Sequence, residues 1–211
     1  MTNSMLRILS GVACTALLAA AASVTHAQGK VTVEEHVNYL NHPNNIRMSN
    51  GTVELILSTD YGPRIMRYAF AGSGDNGNVF ATLNHVAPLK TDLGSWYIRG
   101  GTRFWHAPEG IPRTYVPDNT PIQYKIDGSS VTLIEPTEKA TGIQKEATIT
   151  LAPEGTEVTV TMKLINHNLW PISYACWMLS AMHPGGKAIY PQEPFASHDV
   201  SLLPARPVAG L

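Results

Sequence analysis

IQYKIDGSSVTLIEPTEKATGIQKEATITLAPEGTEVTVTMKLI, residues 122–165, is the stretch whose pattern decides the fold. Ile122 to Ile126 alternates Ile, Gln, Tyr, Lys, Ile. Val158 to Ile165 sets Val, Val, Met and Leu against Thr, Thr and Lys. Successive side chains of a strand point to opposite faces, so this period of two predicts strands with one buried and one wet face. Ile143 to Leu151 alternates again. Asp127-Gly128 leads into Val131 to Ile134 and predicts a hairpin, because glycine accepts the positive φ of a tight turn. Pro153-Glu154-Gly155 predicts the next turn.

The same signals extend outward. Val53 to Leu57 is apolar-rich and stops at Ser-Thr-Asp, and Arg64 to Phe70 follows a Gly-Pro turn. Ile172 to Met182 is longer and more apolar, which predicts a central strand. No segment carries a sustained helical period, and 15 prolines with 17 glycines oppose long helices. Many short strands with regular turns predict an all-β domain, an antiparallel β-sandwich. The long irregular run is Leu83 to Thr120, with strand-like Trp96 to Arg99 inside it. A connection of that length in a compact domain is usually functional.

The first 27 residues predict the compartment. Arg7 provides a short basic region, Ile8 to Val24 is apolar, and Thr25-His26-Ala27 places small residues before Gln28. This order predicts a signal peptide over 1–27 and a periplasmic or secreted protein. Two other readings are a weakly hydrophobic membrane anchor and a lipoprotein modified at Cys14. Residues 28–211 then form a single domain with no membrane span. The formal net charge of −1 excludes an electrostatic footprint for nucleic acid or anionic membrane. Of two cysteines only Cys176 remains after cleavage, so no internal disulfide is expected. Its apolar surroundings, ISYACWMLSAM, predict a buried, inert thiol.

Residues 94–121, GSWYIRGGTRFWHAPEGIPRTYVPDNTP, hold the densest cluster of polar and aromatic side chains. Aromatic rings stack on the apolar face of a sugar, and Arg, His, Glu and Asn bind its hydroxyls. A small sugar or glycan is therefore the expected partner, with Arg99, Arg103, Trp105, Arg113, Asn119, Trp177 and His183 as candidate binding residues. The alternative is a surface loop pinned by buried aromatics and Arg pairs. His106 and Glu109 are candidate acid and base, with Glu146 as a third catalytic candidate. A lone His is more often structural or solvated than catalytic, and a single Glu such as Glu146 more often faces solvent. The sugar reading requires side chains around 96–119 to converge on one concave pocket. No HExxH, paired CxxC, GxSxG or phosphate-binding glycine loop occurs, so neither a metal nor a cofactor is expected.

NGTVELILSTDYGPRIMRYAF (50–70), NVFA (78–81), GGTRFWHAPE with RTYVPDN, TGIQKE (141–146), NHNLWPI (166–172) and WMLSAMHPGG (177–186) resemble the galactose-mutarotase-like (aldose 1-epimerase-like) superfamily. The resemblance spans about Val33 to Gln192 and is to a bacterial branch with no assigned activity. It implies a large antiparallel supersandwich with a carbohydrate groove on its concave face. In the epimerases of that superfamily a His protonates the ring oxygen and a Glu takes the anomeric proton, so acid/base chemistry at an anomeric carbon is the implied activity. Thr102 stands where the branch carries a His after Gly-Gly. The late general base has no counterpart before Leu211, so a sandwich incomplete at its C-terminus is expected. The fold alone does not fix the function. A non-catalytic carbohydrate-binding module and a truncated structural protein are the rival readings.

Overall fold

The computed structural model describes residues 30–111 and 113–189. The expected signal peptide over 1–27 and the tail from 190 onward lie outside the described residues. Fourteen strands are described, all of whose pairings are antiparallel. They build an all-β fold in which several antiparallel sheets pack together as a β-sandwich.

The first layer is β1 (Thr32–Tyr39), β2 (His42–Ser49), β3 (Val53–Ser58) and β4 (Arg64–Phe70), paired in chain order. The β1–β2 turn runs through Leu40 and Asn41, both at positive φ. Asn45 lies buried beneath it because its Nδ2 donates to the carbonyls of Val37, Tyr39 and His42. Short strands follow: β5 (Thr82–Leu83), β6 (Leu89–Thr91), β7 (Gly94–Trp96) and β8 (Arg99–Gly100). Then come β9 (Thr102–Ala107), β10 (Gln123–Asp127), β11 (Ser130–Ile134), β12 (Ile143–Leu151), β13 (Val158–Asn166) and β14 (Ala175–Ser180).

The second layer is β10-β11-β12-β13. The expected Asp-Gly hairpin joins β10 to β11, with Asp127 opposite Ser130 and Gly128 at φ 57°. On β12 the odd positions Ile143 to Leu151 are buried and the even ones half-buried, as the alternation predicts. Ile46, Met48, Val53, Leu55, Leu57 and Ile65 from the first layer meet Ile122, Val131, Leu133, Ala147, Ile149 and Leu151. This apolar contact between two sheet faces holds the layers together.

β9 pairs with β14 and sits beside β4, where the Ile65 N–H donates to Thr102 Oγ1 at 3.0 Å. Gly101 makes this approach possible. Its φ is 66°, and a Cβ there would come within 2.4 Å of the Ile65 carbonyl oxygen. The segment read as a central strand, Ile172 to Met182, contains β14, which among the described residues pairs with β9 alone. Its side chains are exposed or half-buried, and Cys176 is exposed rather than buried, because among the described residues no second strand pairs with β14. The expected strand over Trp96 to Arg99 is divided between β7 and β8, which belong to different small sheets.

Candidate functional site

β9 carries the site because both of its faces are used. Alternation places Thr102, Phe104 and His106 on one face, and Arg103, Trp105 and Ala107 on the other. β14 continues the division, with Trp177 opposite Trp105 and Leu179 opposite Arg103, while Cys176 lies opposite His106. The sequence alone suggested one pocket over residues 96–119. The structure instead forms two environments, back to back across β9, so the convergence of Trp105, His106 and Glu109 that the sugar reading required is not met, and only its Arg103–Trp105 part remains.

On the Arg103 face, Trp105 packs edge-on against Trp177 (5.3 Å between ring centroids) and Tyr115 (5.5 Å). Trp96 closes the group at 5.2 Å from Tyr115 and 6.1 Å from Trp105. The Arg103 guanidinium lies 4.4 Å from the Trp96 ring centre and 4.8 Å from that of Trp105. Cation–π attraction favours that place for a charge largely withdrawn from water. Burial pulls Arg103 down to about 9, and the nearby Asp118, Glu135 and Glu138 charges only partly oppose it. Trp96, Arg103, Trp105, Gly100, Gly101 and Leu179 line most of a cleft of about 200 Å³.

On the opposite face, His106 is buried inside the sandwich. Its ring stacks on Tyr174 at 4.8 Å with 9° between planes. Its Nε2 lies 3.7 Å from Glu138 Oε2, and its Nδ1 is buried with no partner among the described residues. Glu138 stands in the β11–β12 connection, and Lys145 on β12 points inward beside it. Lys145 Nζ contacts Glu138 Oε1 and lies 2.9 Å from Glu135 Oε2, off the hydrogen-bond direction for the latter. Burial raises both carboxyls, but they end far apart. For Glu138, His106, Lys145 and Thr141 outweigh burial and hold it at about 2. For Glu135, burial wins over Lys145, the Glu138 charge adds to it, and the carboxyl rises to about 7. Burial lowers Lys145, yet its two carboxylate neighbours leave it raised.

The chain matches no family model, no curated protein and no solved structure. Its own geometry is therefore the ground for a functional reading.

The remaining candidate residues distribute as follows. Glu109 is exposed and accepts a hydrogen bond from the Tyr115 hydroxyl at 2.5 Å, apart from both His106 and the cleft lining. Glu146 lies on the face of β12 opposite Lys145, half-buried, with Lys163 Nζ at 3.1 Å. Arg99 sits over Tyr61 at 4.1 Å and donates to Asn119 Oδ1 at 3.1 Å. Asn119 in turn donates to the Ser95 carbonyl, so it ties β8 to β7. Arg113 lies 5.1 Å from the Tyr174 ring, on the His106 side. His183 is exposed and lines a separate cleft with Tyr39, Asp75 and Asn78. Arg103, Trp105 and Trp177 are thus brought together. His106, Glu109 and Glu146 are not.

Sequence reasoning missed Glu135, Glu138 and Lys145. The signal was present: Lys145 occupies an inward position in the Ile143, Ala147, Ile149, Leu151 series of an alternating strand. A lysine on an apolar face requires buried acids. Asp118 and Arg64 form another buried pair, with Oδ2 accepting from Arg64 Nε at 2.9 Å and lying 2.8 Å from Nη2. Burial raises Asp118, and Arg64, Arg103 and Lys145 overcome it, holding the carboxyl at about 2. Among the described residues no group of three His, Cys, Asp or Glu side chains is placed to hold a metal ion. No described helix is long and apolar enough to cross a membrane.

Proposed function

We propose that this protein is a periplasmic or secreted carbohydrate-binding protein of the galactose-mutarotase-like kind, and that the Trp96–Arg103–Trp105 cleft is its binding site. One observation carries the reading: a cleft of monosaccharide scale walled by two tryptophans and an arginine beside paired glycines. Tryptophan faces favour the apolar face of a pyranose, and a guanidinium edge orients its oxygens. Gly100 and Gly101 form part of the cleft wall, packed closely against the Ala81 and Ile65 carbonyls.

Binding without chemistry fits this geometry better than ring opening does. An acid and a base must reach the same sugar ring within hydrogen-bond distance. His106 faces away from the cleft, and Glu109 and Glu146 lie elsewhere. The epimerase-like reading retains one supporting observation, the buried His106–Glu138 pair under Tyr174. Two measurements separate the readings. Intrinsic tryptophan fluorescence titrated with monosaccharides is expected to saturate for the native chain and weaken at least about tenfold in Trp96→Ala, since a stacking contact is lost. Proton-exchange NMR of fresh α-glucose and α-galactose is expected to show no acceleration of anomer equilibration. Acceleration abolished by His106→Ala establishes the enzyme instead. Absence of any saccharide binding removes the proposal.

A further inference from the structure

The unpartnered buried polar atoms of the residues that line the cleft are all donors. Trp96 Nε1, Trp105 Nε1 and Arg103 Nη1 are all buried donors with no acceptor among the described residues. All three belong to residues that line the one cleft. Arg103 Nη2 has only a long contact, 3.5 Å, to the Val116 carbonyl. The acids close enough to act on its charge have other cations against them, although Asp118 Oδ1 and Glu135 Oε2 are themselves buried without a hydrogen-bond partner among the described residues. Asp118 is held by Arg64, and Glu135 and Glu138 by Lys145. Arg103 therefore forms no ion pair among the described residues, although its side chain is nearly all withdrawn from water. A buried cation and two buried N–H groups without acceptors are costly unless a ligand supplies oxygens. Trp96 and Trp105 both lie against the guanidinium, and its unpartnered Nη1 is the atom that a ligand oxygen has to reach. A guanidinium edge matches the paired oxygens of a carboxylate or of a phosphate ester.

Building on the carbohydrate reading of the same cleft, we propose that the ligand is an acidic sugar whose anionic oxygens meet Arg103, not a neutral hexose. Neutral hydroxyls both donate and accept, and so would satisfy these donors without matching the charge. An anionic group accepts only, as the surroundings require. Burial that weakens the hold of Arg103 on its proton acts in the same direction, because an incoming anion favours the charged form that burial penalises.

The test titrates the full chain with galacturonate, galactose, galactose 6-phosphate and benzoate, read by tryptophan fluorescence and calorimetry. The expected result is that galacturonate or galactose 6-phosphate binds at least about tenfold tighter than galactose, as a charge-assisted pair provides. The stronger of the two identifies the planar or the tetrahedral anion. Arg103→Gln is expected to equalise acid and neutral sugars, with Arg103→Lys intermediate; circular dichroism checks that both fold. The wild-type comparison stands even if neither does. Equal affinity for galactose and both acidic sugars overturns the inference and leaves the carbohydrate reading intact. Binding of benzoate without any sugar overturns the carbohydrate reading and retains an anion site. Binding of none of the four overturns both.

Discussion

Replacing Glu135 by Gln is expected to stabilise the protein at mildly alkaline pH while changing it little in mild acid. Two buried carboxyls, Glu135 and Glu138, share one lysine, Lys145, with His106, Asp118 and Arg103 as the other charged or titratable neighbours. One cation cannot neutralise both. Glu138 takes the ion pair and the His106 contact, and Glu135 is left to hold a proton up to about 7, against 4.5 in an ordinary carboxyl. The folded chain thus binds this proton more tightly than the unfolded chain does. The stability it contributes is whole below the unfolded value and is lost as pH rises through the folded one. Over that window the loss corresponds to about 3 kcal/mol. Glutamine copies the protonated shape and never ionises, so the variant escapes the loss. Glu138 acts in the opposite sense at lower pH, but it is common to both proteins and cancels in their difference. Urea unfolding followed by tryptophan fluorescence at about pH 5 and about pH 8 measures the effect. The Glu135→Gln chain should match the wild type within about 1 kcal/mol at the lower pH and exceed it by about 2–3 kcal/mol at the higher. Parallel pH profiles for the two proteins, or a variant less stable than wild type at the higher pH, would refute the shared-lysine reasoning.

Two further substitutions test the frame that holds the cleft. Arg64→Met removes the partner of Asp118 and leaves a buried carboxylate, together with the Tyr97, Ile98 and Gly100 carbonyls that Arg64 also satisfies. It should cost about 3–5 kcal/mol in urea unfolding, and adding Asp118→Leu should recover part of that loss. Gly101→Ala places a methyl group at positive φ against the Ile65 carbonyl, where β9 meets β4. A loss of about 1–3 kcal/mol, seen as a lowered Tm, is expected.

Much of the second layer was legible because each of its strands has one face toward the other sheet. β12 and β13 show this in the plain alternation of their residues, and Asp127-Gly128 marks the turn between β10 and β11. β1 and β2 were illegible for the opposite reason. HPNNIRMS carries a buried Asn45 whose amide is satisfied by three carbonyls, so a polar residue sits where an apolar one would announce a strand. β9 was hidden too. Thr102 to His106 are all buried, so TRFWH shows no alternation between wet and dry faces and passed for part of an irregular loop. That omission also obscured the site, since strand periodicity is what separates Trp105 from His106.

Local physics fixed the β-rich character, the turns and the inward side of each alternating strand, because these depend on neighbours within a few residues along the chain. Which charge meets which did not follow from it. His106 faces Glu138 and Arg64 faces Asp118 only when segments far apart in the chain are laid across one another, and Arg103 settles against Trp96 and Trp105 only when β7 folds back on β9. Tertiary packing decided those encounters, since withdrawal from water makes each buried charge depend on the nearest opposite charge in space and not on the nearest in sequence.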